Sequence, residues 1–234
     1  MTALRKPDDP TTGIDLAGTT AALDLSGALY LPDADALVVA DLHLEKGSAF
    51  ARRGLMLPPY DTRETLRALA GVLDRYAPRT VIALGDSFHD RGGPDRLGAD
   101  DRRALAGLQA GRRWLWITGN HDRTLPDDIG GEVLDDLALG RLTLRHEPLG
   151  GALDEIAGHL HPAGKVRLHG RSVRRRCFVT DGRRCVMPAF GAYAGGLNVR
   201  HRAFTQVFST LAFTAHMLGE QRVYAVAGKH CLPD

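Results

Sequence analysis

Side chains that carry a free carboxylate, carboxamide or imidazole recur in five short groups: Asp41-Leu42-His43, Gly85-Asp86, Asn120-His121, His146 within LRHEP, and His159-Leu160-His161 within GHLHP. Each group falls at or just past the end of an apolar, strand-like run. A strand turns successive side chains to opposite faces, so residues two apart point the same way: Asp41 with His43, and His159 with His161. One such pair carries little information. Gly119-Asn120-His121-Asp122 alone reads equally well as a turn, because Gly and Asn tolerate left-handed backbone and Asp caps helices. Five groups in one chain, all at strand ends, are hard to obtain by chance. Their ligand atoms are oxygen and imidazole nitrogen with no thiolate, a set that suits Mn²⁺, Fe or Zn²⁺ and argues against a structural zinc knot. Two such ions about 3.5 to 4 Å apart would clamp the attacking and leaving oxygens of a phosphoryl group, so hydrolysis of a phosphate ester is the chemistry expected.

The elements that must position these groups follow from the hydrophobic pattern. Residues 22–31 and 36–40 read as strands joined by Pro32-Asp33. Residues 45–53 read as a polar helical stretch, and a solvated helix start explains Glu45 and Lys46 as well as any role beside Asp41-Leu42-His43 does. A longer helix runs to about Tyr76, with Asp61 or Thr62 as its cap and Leu66, Leu69 and Leu73 on its core-facing side. Strands at 80–84 and 114–118 flank a helix at 99–110, an alternation that indicates an α/β domain with much parallel sheet. In such sheets ligands gather beyond the carboxyl ends of strands, where the first three groups fall. From 132 onward the texture changes to strands at 132–139, 141–145, 155–158, 165–168, 177–180 and 184–187, which implies a second sheet packed on the first. Residues 191–196 (GAYAGG) form a glycine-rich loop without a nucleotide-binding fingerprint, and Phe204, Val207, Phe208 and Leu211 mark a late helix with an aromatic core stripe.

With 234 residues and 44% hydrophobic content, the chain reads as one globular domain over 21–234 behind a polar, flexible N-terminal segment, 1–20. No secretory signal is visible, and no apolar run approaches the roughly 20 residues needed to cross a bilayer, so a cytoplasmic protein with no membrane partner is expected. The three cysteines lack paired zinc spacing. Asp181-Gly182 reads as a two-residue hairpin turn that sets Phe178 opposite Cys185 and turns Cys177 to the other face, which disfavours a disulfide. Net charge is only +2, yet residues 165–184 hold eight Lys and Arg against Asp181. That strip is either a solvated hairpin or a phosphate-contacting surface. His169, His201, His216 and His230 match no motif and read as surface or ordinary packing.

Taken in order, DxH, GD, GNH[DE], a lone His after a strand, and GHxH resemble the calcineurin-like metallophosphoesterase superfamily over 41–161. The resemblance implies a four-layer αββα sandwich of two mixed β-sheets flanked by helices, with the site at the sheet ends. It implies two divalent ions, Mn²⁺ foremost, one held by Asp41, His43, Asp86 and His161 and the other by Asp86, Asn120, His146 and His159. His121 would protonate or hydrogen-bond the leaving oxygen, and Asp122 would orient that imidazole. The second motif departs from the common GDxxD, since the chain reads Gly85-Asp86-Ser87-Phe88-His89-Asp90-Arg91-Gly92. Either His89 replaces the second carboxylate, as a candidate contact to the substrate phosphate, or Asp90-Arg91-Gly92 matches after one inserted residue.

Longer stretches, ADLHLEKG, ARRGLMLPPYDT, ALGDSFHDRGG, GRSVRRRCF and MPAFGAYAGGLNV, resemble the bacterial ligase-associated metallophosphoesterases. That branch implies a manganese-dependent single-strand DNA endonuclease, linked in DNA repair to an ATP-dependent DNA ligase, a helicase and an exonuclease. Arg174 and Arg176 of the basic strip are then candidate contacts to single-stranded DNA or another phosphodiester. A phosphohydrolase of small or cyclic nucleotides and a non-catalytic scaffold on the same fold are the alternatives that stay open.

Overall fold

The computed structural model describes residues 11–208 and 211–234. Among these, a first sheet holds seven strands side by side in chain order: β1 (Thr11–Leu16), β2 (Thr19–Asp24), β3 (Leu29–Leu31), β4 (Ala36–Ala40), β5 (Thr80–Leu84), β6 (Arg113–Ile117) and β7 (Glu132–Leu134). The first four pair antiparallel, and β4 to β7 run parallel. The second sheet contains β8 (Asp136–Leu139), β9 (Leu142–Arg145), β10 (Glu155–Ala157), β11 (Pro162–Leu168), β12 (Arg171–Thr180), β13 (Cys185–Val186), β14 (Leu197–Asn198), β15 (Thr214–Leu218) and β16 (Val223–Ala227). Its spatial order is β14-β11-β12-β13-β10-β9-β8, with β15 and β16 branching from the inner half of β12.

Alternation explains why the central strands are apolar throughout. On β4, Ala36, Val38 and Ala40 enter the core between the sheets, while Leu37 and Val39 face the helices. Ile82, Leu84, Leu115 and Ile117 meet Leu144, Ile156, Phe178 and Met187 of the second sheet in that central core. The outer face of the first sheet is covered by α2 (Asp61–Tyr76) and α4 (Ala99–Gln109), which follow α1 (Lys46–Ala51) and α3 (Gly93–Arg96) respectively. Leu66, Leu69, Val72 and Leu73 of α2 are buried there, each contributing roughly 1.5–3 kcal/mol. The far face of the second sheet is capped by α5 (Arg202–Phe208) through Phe204, Val207 and Phe208. The layers are those of the expected αββα sandwich, with few helices and, among the described residues, only the short α5 on the second sheet.

Several boundaries differ from the sequence reading. Residues 22–31 are two strands, because the Asp24 carboxylate accepts the Ser26 amide at 2.8 Å and Gly27 turns with φ +98°. Residues 132–139 split at Asp135 between the two sheets, so one apolar run serves both. The segment expected to be flexible as far as residue 20 is instead a hairpin from Thr11 onward, and residues 1–10 lie outside the described ones. At Asp181 the turn is four residues long, pairing Thr180 with Cys185, because Asp181 Oδ1 accepts the amides of both Arg183 and Arg184. The two-residue slip from the expected register keeps every side chain on its face. Cys185 therefore enters the central core and Cys177 the outer one, and all three cysteines are free. Among the described residues, no helix is long and apolar enough to cross a membrane.

Candidate metal centre

The chain leaves β4, β5, β10 and their neighbours through backbone that most residues avoid. Asp41 (φ 54°), His43 (φ 45°), Asp86 (φ 45°), His159 (φ 67°) and His161 (φ 44°) are all left-handed, a conformation that typically costs about 1–2 kcal/mol per non-glycine residue. Five of the seven expected ligands thus hold strain, and cross-links between loops keep it in place. His43 N–H donates to Asp86 O and Leu44 N–H to Ser87 O, both at 2.9 Å, so the loops after β4 and β5 stay zipped beyond the sheet. His159 N–H donates to Asp41 Oδ2 at 2.9 Å, and Gly158 N–H to His146 O.

Close approach explains the glycines of the motifs. Gly85, at φ +67°, packs against the His146 ring so tightly that a Cβ there would stand 2.4 Å from it. Gly119 has ordinary backbone, yet a Cβ would lie 2.2 Å from Asp86 N and 2.3 Å from Asp86 Oδ1. The Gly-Asn-His-Asp stretch is therefore a turn whose first residue must be bare so that Asp86 can occupy the centre.

Two clusters result. Asp41, His43 and His161 form one, and Asp86, His146 and His159 the other, each with ligand atoms within 4.8 Å of one another. In the first, His43 Nε2 and His161 Nε2 are 3.2 Å apart, Asp41 Oδ1 is 3.2 Å from His161 Nε2, and that oxygen is buried without a hydrogen-bond partner. In the second, His146 Nδ1 faces Leu84 O at 3.0 Å, which fixes the tautomer and aims the Nε2 lone pair inward. That nitrogen lies 2.9 Å from Asn120 Oδ1 and 3.2 Å from His159 Nδ1, and Asn120 Oδ1 is 3.1 Å from His159 Nδ1. Lone pairs converging with too few protons to separate them call for a cation at each cluster, so the residues present fit two divalent ions. Protons stand in otherwise. Burial alone would lower His146, but contacts with Asp86 and Asp41 push it up to about 9, while Asp86, which burial would raise, is held at about 2 by the same histidine and the His121 amide.

His121 sits at the rim, its side chain 40% exposed, with Nε2 3.8 Å from Asp86 Oδ2. Its Nδ1 faces the His89 carbonyl at 2.8 Å, so that carbonyl, and not Asp122, orients the ring. Asp122 is buried and accepts the Phe88 amide at 3.0 Å, bracing the loop that carries Asp86; the expected contact with the His121 imidazole is not made. Burial raises its carboxyl to about 6. At the departure in the second motif, the His89 ring packs against those of His43 and His121, with centroids 5.5 and 5.6 Å away, whereas Asp90 turns aside to Arg96 at 2.9 Å.

Arg174 and Arg176 are not brought to these clusters. Arg174 is an exposed hairpin residue bonded to Gly196 O, and Arg176 points inward, where burial lowers its pKa and its guanidinium holds Ala189 O at 2.6 Å. Glu45 corrects the reading of a solvated helix start. It is buried, left-handed at φ 63°, and its carboxylate accepts the hydroxyls of Thr62 and Ser48. Thr62 Oγ1 and Asp61 Oδ2 in turn accept the amides of Glu45 and Gly47, so both cap the turn before α1 and leave α2 without a side-chain cap. The spacing of 14–17 residues hid this partnership. His216 is buried beyond the site, while His169, His201 and His230 are exposed.

A polar cleft of about 550 Å³ opens beside the second cluster, lined by Asn120, His146, Arg123, Arg145, Asp135, Asp136 and Glu147. Paired oxygen and imidazole clusters at the carboxyl edge of a mixed sheet, open to solvent through such a cleft, define a metal-dependent phosphoesterase. The chain belongs to the calcineurin-like phosphoesterase family, whose family model matches residues 35–232. Among solved structures it is similar to Pseudomonas putida nuclease MPE, with 28% identity and a TM-score of 0.73, covering 92% of this chain and 100% of that one. A likeness to Yfce, a phosphoesterase from E. coli, is much looser at 13% identity and a TM-score of 0.40, covering 82% and 98%. No curated protein matches the sequence of this chain.

Proposed function

We propose that the protein is a dinuclear, manganese-dependent phosphodiesterase that cuts single-stranded DNA internally, in the setting of DNA repair. The observation that carries this reading is the pair of clusters at one sheet edge, joined with similarity over 92% of the chain to a protein described as a nuclease. Asp41, His43 and His161 would hold one ion, His146, His159 and Asn120 the other, and Asp86 would bridge them. When bound, two such ions polarise the phosphoryl oxygens and make a water nucleophilic at neutral pH. The chain's own groups do the rest. His121, whose Nδ1–H donates to the His89 carbonyl, acts as the imidazolium: its Nε2–H passes the proton to the leaving oxygen and the ring is left as the neutral Nδ1–H tautomer. Left-handed backbone at Asp41, His43, Asp86, His159 and His161 fixes the donor atoms before substrate arrives, so little reorganisation is left for the reaction. His89 closes the side of the site next to His43 and can donate to a non-bridging phosphate oxygen.

The reading is tested by incubating metal-stripped protein with circular single-stranded DNA in Mn²⁺, with Asp86→Ala as control. A circle offers no end to an exonuclease, so linear fragments made by the wild type alone support an endonuclease. Intact circles beside rapid hydrolysis of a small or cyclic nucleotide would move the activity to compact substrates.

A further inference from the structure

Alternation along the β11–β12 hairpin sorts its charges by face. Lys165 and Arg167 share one face with their cross-strand partners Arg174 and Ser172, whereas Val166, Leu168 and Val173 turn to the other. Lys165 lies directly opposite Arg174. Like charges in that position repel unless an anion separates them. The anion is the Asp234 side chain. Its Oδ1 accepts a 3.0 Å bond from the buried Asn198 amide and lies 3.9 Å from Lys165 Nζ and 3.8 Å from Arg174 Nε. Donors from β14, β11 and β12 thus converge on one oxygen. Asp234 is 63% exposed, and ion pairs of that length in water are weak, so this carboxylate is a counter-ion that a stronger anion can replace. Arg167, two residues further out, has no carboxylate partner among the described residues.

The hairpin that carries this face starts beside the metal centre. β11 begins at the residue after His161, so Lys165 stands about 13 Å along the strand from that ligand at about 3.3 Å per residue. The loop 191–196 fills the interval: Lys46, beside the first cluster, donates to Tyr193 O at 2.8 Å, and Arg174 donates to Gly196 O. The opposite flank, the cleft beside the second cluster, sets Asp135, Asp136 and Glu147 against Arg123 and Arg145, a balance that does not attract a polyanion.

We propose that Asn198, Lys165 and Arg174 form a phosphate subsite, extended by Arg167, that takes a backbone phosphate of the substrate strand in place of the Asp234 carboxylate. The strand then leaves the metal centre on the side of the first cluster. The proposal rests on the nuclease reading above, and it differs from the sequence expectation in assigning Arg176 no contact.

The test is binding of a fluorescent 20-mer of thymidylate to the full-length, metal-stripped protein between 50 and 200 mM salt, read by anisotropy. Asp234→Asn removes the internal competitor and is expected to tighten binding about three- to fivefold at low salt. The double variant Lys165→Gln/Arg167→Gln is expected to weaken binding and to flatten the slope of log K against log salt by about 1.4, two phosphate contacts at about 0.7 each. An unchanged slope in the double variant with no gain in Asp234→Asn overturns the subsite. Wild-type protein that binds the 20-mer and cuts circular DNA while both variants match it overturns the subsite alone; wild type that neither binds nor cuts overturns the subsite and the nuclease reading together. Asp234→Asn changes one exposed side chain, so its gain remains readable if the double variant is poorly folded.

Discussion

Gly119→Ala isolates the requirement that Asp86 be closely approached. Gly119 has no positive φ, so alanine suits its backbone, and loss of unfolded-state freedom would by itself stabilise the protein by about 0.4–1 kcal/mol. Space is what is lacking. The new methyl would stand 2.2 Å from Asp86 N, 2.3 Å from Asp86 Oδ1 and 2.7 Å from Asp122 Oδ1, more than an ångström short of ordinary contact at the first two. None of these atoms is the end of a flexible chain: Asp86 N is backbone, and Asp86 Oδ1 already receives the His121 amide at 3.0 Å. Relief must move Asp86 by about an ångström, which costs about 1–3 kcal/mol of stability. A misplacement of that size at a reacting centre lowers turnover by about 10²-fold. The assay is kcat/KM for Mn²⁺-dependent hydrolysis of bis-p-nitrophenyl phosphate, run beside a Mn²⁺ titration and a melting curve. Gly71→Ala is the control, because nothing lies within 4 Å of a Cβ on that exposed face of α2. Wild-type kcat/KM in a folded Gly119→Ala protein would refute the claim that steric access to Asp86 sets the motif.

Three further outcomes follow from the site. His121→Ala is expected to keep Mn²⁺ affinity and lose about 10²–10⁴ in kcat on an unactivated diester, the usual worth of a positioned proton donor; equal turnover would remove it from the chemistry. Asp122→Asn reads out an ionisation penalty. Its folded carboxyl titrates near 6, above about 3.9 in the unfolded chain, so the stability it supplies is full below pH 4 and is lost as pH rises through 6. Asparagine can still accept the Phe88 amide without a charge, so the metal-free variant should be about 1–3 kcal/mol more stable than wild type at pH 8 and equal to it at pH 4 in urea unfolding. A variant less stable at pH 8 would contradict this. His146, pushed up to about 9 in the metal-free protein, carries a proton at pH 7.5 that an ion must displace. Calorimetry of Mn²⁺ binding in buffers of different ionisation enthalpy should show about one proton released from it at pH 7.5 and progressively less above pH 9; no release at pH 7.5 would remove the competition.

The metal-competent residues were legible because ligation needs particular atoms at particular ends of strands, and the chain cannot substitute freely there. All seven expected ligands fall into two clusters or against one, as Asn120 does. Partnerships that cross the sequence were not legible. Glu45 looks like a solvated helix start in a one-dimensional pattern, yet Thr62, seventeen residues on, buries it. Asp122 follows His121 in sequence, but the turn sends its carboxylate back to Phe88. Arg176 sits among exposed arginines in the sequence and differs from them only because β12 passes under the loop 189–190, whose carbonyls it binds. Strand breaks at Asp24 and Asp135 were hidden by apolar residues on both sides, since hydrophobic runs do not say which sheet they serve. Periodicity did succeed for α2, whose Leu66, Leu69 and Leu73 are buried as spaced.

The measurement that tests the central claim most directly is the anomalous scattering of manganese in a crystal of the metal-loaded protein. Two peaks are predicted, one contacting Asp41, His43 and His161 and the other His146, His159 and Asn120, with Asp86 reaching both. A single peak, or peaks that leave either cluster without an ion, would contradict a dinuclear centre and the phosphodiesterase mechanism built on it.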